Sequence, residues 1–206
     1  MQDRMRHLPR SFDVYHSMGA GRTMWMITNS EVAVLPVRFG SLFLKSKRIS
    51  LRVLLGLLWI LFLPNTSYLF AGLEHFPAQW HSVNGLQHFD LILEYIAVEL
   101  FALLTFLLAF LPFKRVIKRL SHGEQVLAII LFNFLIAFGT ALGKWKHVNS
   151  WVVFTDPIKV ALSAVQILTS FSLFELVILF CVICNVIYFL FRRILLRHAH
   201  LLWQNP

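Results

Sequence analysis

Four long apolar runs, at about 53–70, 89–113, 126–142 and 171–191, cross a chain of 206 residues and leave little length for anything else. Each reaches or approaches the roughly 20 residues that carry an α-helix across about 30 Å of hydrocarbon. Barrel strands would alternate polar and apolar side chains over about ten residues, and none of these runs alternates, so helix is the state they allow. Apolar residues make up 58% of the chain and charged residues 14%. A soluble domain carries roughly 25% charged residues, and one aqueous core of this size could not hide so much apolar surface. The expected fold is all-α, a polytopic transmembrane helical bundle.

The formal charge of +9 does not point to nucleic acid, because Lys and Arg sit in short clusters between the apolar runs and form no single basic face. Such clusters fix orientation in a bilayer. Lys45, Lys47, Arg48 and Arg52 precede the first span; Lys114, Arg115, Lys118 and Arg119 separate the second from the third; Arg192, Arg193 and Arg197 follow the fourth. Residues 73–88 hold no Lys or Arg, and 143–166 hold only Lys144, Lys146 and Lys159. Retention of positive charge inside then puts 73–88 and 143–166 outside.

The chain divides into a basic segment at 1–22, an integral-membrane helical domain at 23–198 and a tail at 199–206. The N-terminus is not a plain signal peptide, because Asn29, Glu31, Pro36 and Arg38 interrupt the stretch where an apolar region belongs. As a span, residues 23–44 would place Glu31 and Arg38 in hydrocarbon at roughly +2.5 to +3.5 kcal/mol each if central. An interfacial or re-entrant helix is expected there, with a fifth span as the alternative. Cys181 and Cys184 share a helix face inside the last run. Hydrocarbon disfavours the thiolate that redox chemistry needs, so they read as packing residues.

Two spans end in compact polar-aromatic elements. One is Phe62-Leu63-Pro64-Asn65-Thr66-Ser67-Tyr68; the other runs from Gly139 through Gly143 to Asn149-Ser150-Trp151. Together they resemble an uncharacterised bacterial membrane-protein family, the domain-of-unknown-function family 1361. Its L-P-N-x-x-Y-(x6)-H element is matched by Leu63, Pro64, Asn65, Tyr68 and His75. Its G-x-x-x-G-R-x-x-R-W-N-S-W-D element is matched by Gly139, Gly143, Asn149, Ser150 and Trp151, and an upstream N-x-x-x-A-x-x-P pattern by Asn29, Ala33 and Pro36. The likeness runs from Asn29 to Pro157. Gly72 replaces the family's Asp three residues before the His. Lys144 and His147 replace its two arginines, and Val148 and Val152 its first Trp and final Asp. The resemblance implies placement in the membrane and a divergent member; it implies no chemistry.

Pro64 should kink or stop the first span, leaving Asn65, Thr66 and Ser67 to satisfy the freed backbone groups. Tyr68 is expected as an interfacial anchor. Gly139 and Gly143 share one helix face and suit close packing, within the subunit or in a homo-oligomer. The candidate outer cap comprises Asn65, Tyr68, His75, Asp90, Glu94, Lys144, Asn149, Ser150 and Trp151. Asn65 and Asn149 are expected to stabilise it jointly. His75, His81 and His88 are the available imidazoles, but their spacing is no compact metal pattern, and no motif calls for a cofactor.

Glu99, Asn133 and Glu175 lie inside spans, where polar groups are costly and become candidate functional residues. Glu99 lies about 13 Å inward from Asp90, and Asn133 about 15 Å inward from Gly143, at the helical rise. They are expected to pair in the bundle interior. Ser150 with His147 makes no triad, for want of an orienting acid. Three functional classes remain open. A non-enzymatic membrane or assembly component contacting lipid fits the absence of a catalytic constellation. A membrane-embedded enzyme acting on lipid or envelope precursors fits the outer His, acids, Lys144 and Asn149. A small transporter fits the broken helix, provided it oligomerises. The cell membrane is the expected location.

Overall fold

Inside hydrocarbon a backbone group has no water to bond, so spans become helices; among the described residues there is no strand. The computed structural model describes residues 31–203 apart from Leu69 and Asn149, with backbone alone for Ala71 and for 193–203. The basic segment 1–22, residues 23–30 with Asn29, and the last residues of the tail, 204–206, lie outside the described residues.

The elements in chain order are α1 at residues 31–45, α2 at Ile49–Phe62, α3 at Pro64–Tyr68, a 3-10 segment at Phe70–His75 and α4 at Phe76–Trp80. There follow α5 at Gln87–Val116, α6 at His122–Trp145, α7 at Val152–Thr155, α8 at Pro157–Thr169 and α9 at Phe171–Trp203. Among the described residues four helical runs are long and apolar enough to cross a membrane: Ile49–Trp80, Gln87–Arg119, His122–Trp145 and Phe171–Arg192. These correspond to the four expected spans, and the protein is a multi-pass membrane protein. The described part of the 23–44 element is α1, a helix that is not among the four. It packs inward through Ala33, Pro36 and Gly40. Gly40 is required by close approach: a Cβ there would lie 2.6 Å from Pro112 Cγ and 3.1 Å from the Trp59 ring.

An aromatic core joins the spans. Trp59, Phe106, Phe110, Phe132 and Tyr188 are all buried in one cluster. Phe113 stacks on Phe132 with centroids 3.8 Å apart, and Phe110 meets Tyr188 at 4.3 Å. The Trp59 indole donates to the Ala109 carbonyl at 2.9 Å, which ties α2 to α5 one turn before Pro112, a proline inside the continuous helix. A buried indole N–H needs such an acceptor.

Local signals set the helix boundaries. Ser121 and Glu124 form a reciprocal capping box at the start of α6. Asp156 accepts from the Lys159 N–H at 2.9 Å and Pro157 fills the first position of α8. The expected loop at 143–166 is therefore largely helix. Alternation of Ser163 and Ile167 with outward Ile158, Leu162 and Val165 was too short a pattern beside Lys159 to read as a span. At 13 residues α8 is indeed no span, about 20 Å long at the helical rise. α6 lies along α9, α3 packs on α6 and α5, and α8 packs on α9 and α6.

Candidate functional site

The site begins at a proline. Pro64 has no N–H to offer the Ile60 carbonyl, which takes the Leu63 N–H at 3.3 Å instead. Leu63 keeps right-handed helical angles (φ −57°, ψ −39°), so the chain kinks and continues into α3. Side chains then serve the carbonyls around the break, as expected. Asn65 Nδ2 donates to the Phe62 carbonyl at 3.0 Å, Thr66 Oγ1 to Leu63 at 2.8 Å and Ser67 Oγ to Pro64 at 2.9 Å.

The second element closes onto the first. Ser150 Oγ donates to the Leu61 carbonyl at 3.0 Å and accepts from Asn65 Nδ2 at 3.1 Å. The Ser67 and Thr140 hydroxyls lie 2.6 Å apart, both buried. Gly139 faces the Pro64 ring so closely that a Cβ would overlap it, whereas a Cβ on Gly143 would stand 3.8 Å from the Tyr68 ring. The G-x-x-x-G face thus receives α3 of the same chain. Asn149, the expected companion of Asn65, lies outside the described residues; its neighbour Ser150 makes the contact.

α6 ends at Trp145, and two residues on, the left-handed backbone of His147 (φ 51°) reverses the chain so that the Val148 N–H reaches the Leu142 carbonyl at 3.1 Å. One turn earlier Lys144 Nζ meets Glu74 Oε1 at 2.8 Å, with its side chain only 9% exposed. His75 Nε2 lies 3.6 Å from the same oxygen. Glu74 is thus the acid that Lys144 meets. Trp151 is exposed at the start of α7.

Other candidates stand apart. Asp90 is exposed in the first turn of α5, with Glu94 partly buried one turn on. His88 turns its Nε2 to the Trp80 carbonyl at 3.2 Å and its ring against Trp80, while His81 is exposed beyond α4. Among the described residues no group of three His, Cys, Asp or Glu is placed to hold a metal ion.

The expected Glu99–Asn133 pair is not formed. Asn133 is fully buried and its Nδ2 donates to Asn185 Oδ1 at 3.0 Å. Asn185 in turn donates to the Cys181 carbonyl at 2.8 Å. The count of residues along each helix did not fix the face: Glu99 lines a separate apolar groove with Leu103, Phe180 and Ile187 between α5 and α9. Glu175 is exposed in the second turn of α9 rather than interior. Asn185 was missed, although an amide inside an apolar run is the signal that drew attention to Asn133. Thr140 was missed as well.

Between the kinked α2–α3 run and α6 lies a cleft of about 290 Å³. Its lining includes apolar Ile60, Phe132, Leu135, Val153 and Val160 and polar Asn65, Tyr68 and Ser150, with Tyr68 two turns along from Ile60. The arrangement offers one hydroxyl donor without an intrachain hydrogen bond among the described residues, that of Tyr68. The Ser150 proton is already engaged.

The family model described as Protein of unknown function (DUF1361) matches residues 28–187, which include both polar-aromatic elements. No curated protein and no solved structure matches significantly. A match over most of the chain decides the membership, and the protein belongs to the DUF1361 family.

Proposed function

We propose that the protein is a non-enzymatic, multi-pass membrane or assembly component of the cell membrane, with the polar-aromatic cap facing outward. One observation carries the reading: the Ser150 hydroxyl donates to the Leu61 carbonyl and accepts from Asn65, so the serine of the second element serves as a clasp. An activated serine needs its proton on an adjacent base. Here the proton lies on a backbone carbonyl. The clasp holds α7, with Trp151 and Phe154 exposed, fixed to the first span as a rigid surface. The distribution of basic residues supports the outward direction.

The test treats detergent-solubilised protein with a fluorophosphonate serine probe and follows thermal unfolding of Ser150→Ala. The expected results are an unmodified Ser150 and a lower Tm. Loss of a donor to a buried carbonyl costs about 1–3 kcal/mol, and each kcal/mol moves Tm by about 2–4 °C at this chain length. Phosphonylation of Ser150 in folded protein, with loss of fluoride from the probe and Tm unchanged in the alanine variant, would establish a reactive serine and overturn the reading.

A further inference from the structure

We infer that the cleft between the α2–α3 kink and α6 is a binding site for one acyl chain of a glycerophospholipid, with Tyr68 donating to the lipid's ester region. The cleft is amphiphilic along its length. Its apolar end is formed by Ile60 and Leu135, which are 48% and 58% exposed on the outer wall of a spanning bundle and therefore face hydrocarbon. Beside Ile60, Phe132 and Leu135 the cleft offers water no side-chain hydrogen-bond partner. The substance available to fill it is a lipid tail.

The polar end fixes the register of that tail. Asn65, Tyr68 and Ser150 stand beside Gly139 and Gly143, within two turns of the end of α6 at Trp145. That is the depth at which hydrocarbon gives way to the interface, where a glycerolipid carries its ester carbonyls. Two of these three polar residues already donate within the protein. The Tyr68 hydroxyl does not hydrogen-bond to any described residue, and it lines the cleft. A half-buried phenol at that depth needs an acceptor, and an ester carbonyl supplies one.

Pro64 makes the site. It turns α3 onto Gly139, so that the two helices meet at the kink and part again toward Ile60 and Leu135. At about 290 Å³ the cleft is far too small for a whole glycerophospholipid and takes a stretch of one acyl chain. The occupant is therefore held by one tail, with its headgroup outside the cleft beneath α7. This inference is independent of whether the cap contacts a protein partner.

The experiment is native mass spectrometry of the full chain, purified in detergent and titrated with dioleoyl phosphatidylcholine in the micelle. Wild type should retain one lipid per chain at collision energies that strip the rest. Leu135→Trp and Ile60→Trp, which fill the cleft, should each lower that occupancy at least about tenfold. Leu104→Trp, on an exposed α5 face, should leave it intact. Tyr68→Phe should weaken retention about fivefold, one hydrogen bond's worth, with helicity and Tm of all variants compared by circular dichroism. Equal occupancy in wild type and both cleft variants would overturn the site, as would equal loss in Leu104→Trp. A lipid-free dimer closed over Leu135 would replace the lipid with a second copy.

Discussion

Gly139 receives the ring of Pro64, so the residue that kinks the first span is also the one that docks the kink on α6. Gly143, one turn later on the same face, has only ordinary contact distance to Tyr68. One motif therefore contains two glycines of different tolerance. Gly139→Ala should force apart two backbones in a packed seam and lose about 1–3 kcal/mol or more. Gly143→Ala should be neutral or gain up to about 1 kcal/mol from helix propensity. Thermal unfolding of the two purified variants checks the contrast, and equal destabilisation would refute it.

The buried amide pair makes a prediction about non-additivity. Asn133 is 0% exposed and its Oδ1 finds no partner among the described residues, while its Nδ2 holds Asn185. Replacing either residue with Leu strands the other amide in hydrocarbon and should cost about 1–3 kcal/mol. The double Leu variant removes both polar groups and should recover at least half of the summed loss. A double-mutant cycle read by unfolding in mixed micelles decides it; simple additivity of the two losses would contradict the pairing.

His147 holds a left-handed backbone at φ 51°. This costs a non-glycine residue about 1–2 kcal/mol, most severely when β-branched. His147→Gly should hold or raise Tm, and His147→Val should lower it by several degrees. The reverse order would mean that the imidazole itself, rather than the turn, stabilises the end of α6.

Membrane orientation has a separate readout. In a chain with Cys181 and Cys184 replaced by Ala, a cysteine at the exposed Ser82 position should react with an impermeant maleimide on intact cells. A cysteine at the exposed Ser121 position, in the basic loop before α6, should react only after permeabilisation. Labelling in the opposite sense would turn the bundle over.

The four spans were legible in the sequence because their signal is a one-dimensional run of apolar side chains, and the kink at Pro64 because a missing N–H is a local fact. The contacts between Ser150 and Leu61 and between Asn133 and Asn185 were not. Each depends on the rotation of a helix about its own axis, which a nearly uniform apolar run leaves unmarked. Glu99 shows the difficulty plainly: counting residues along two helices does not say which face each presents, and Glu99 lines a different groove from the one expected. α8 was obscured for another reason. Its inward and outward apolar faces are split by Lys159 and Gln166, and at 13 residues it carries too little hydrophobic length to be distinguished from a loop.

The Ser150–Leu61 hydrogen bond joins residues separated by 89 positions, and that separation orders events during synthesis. When α2 enters the bilayer, the hydroxyl that will serve its Leu61 carbonyl has not yet been made. The chain must add two further spans before it arrives. Until then the kink is held only by its own Asn65, Thr66 and Ser67, and the first span is an unfinished guest in the lipid. Its final seating is a late step of assembly, set by the emergence of the loop after α6 rather than by its own insertion.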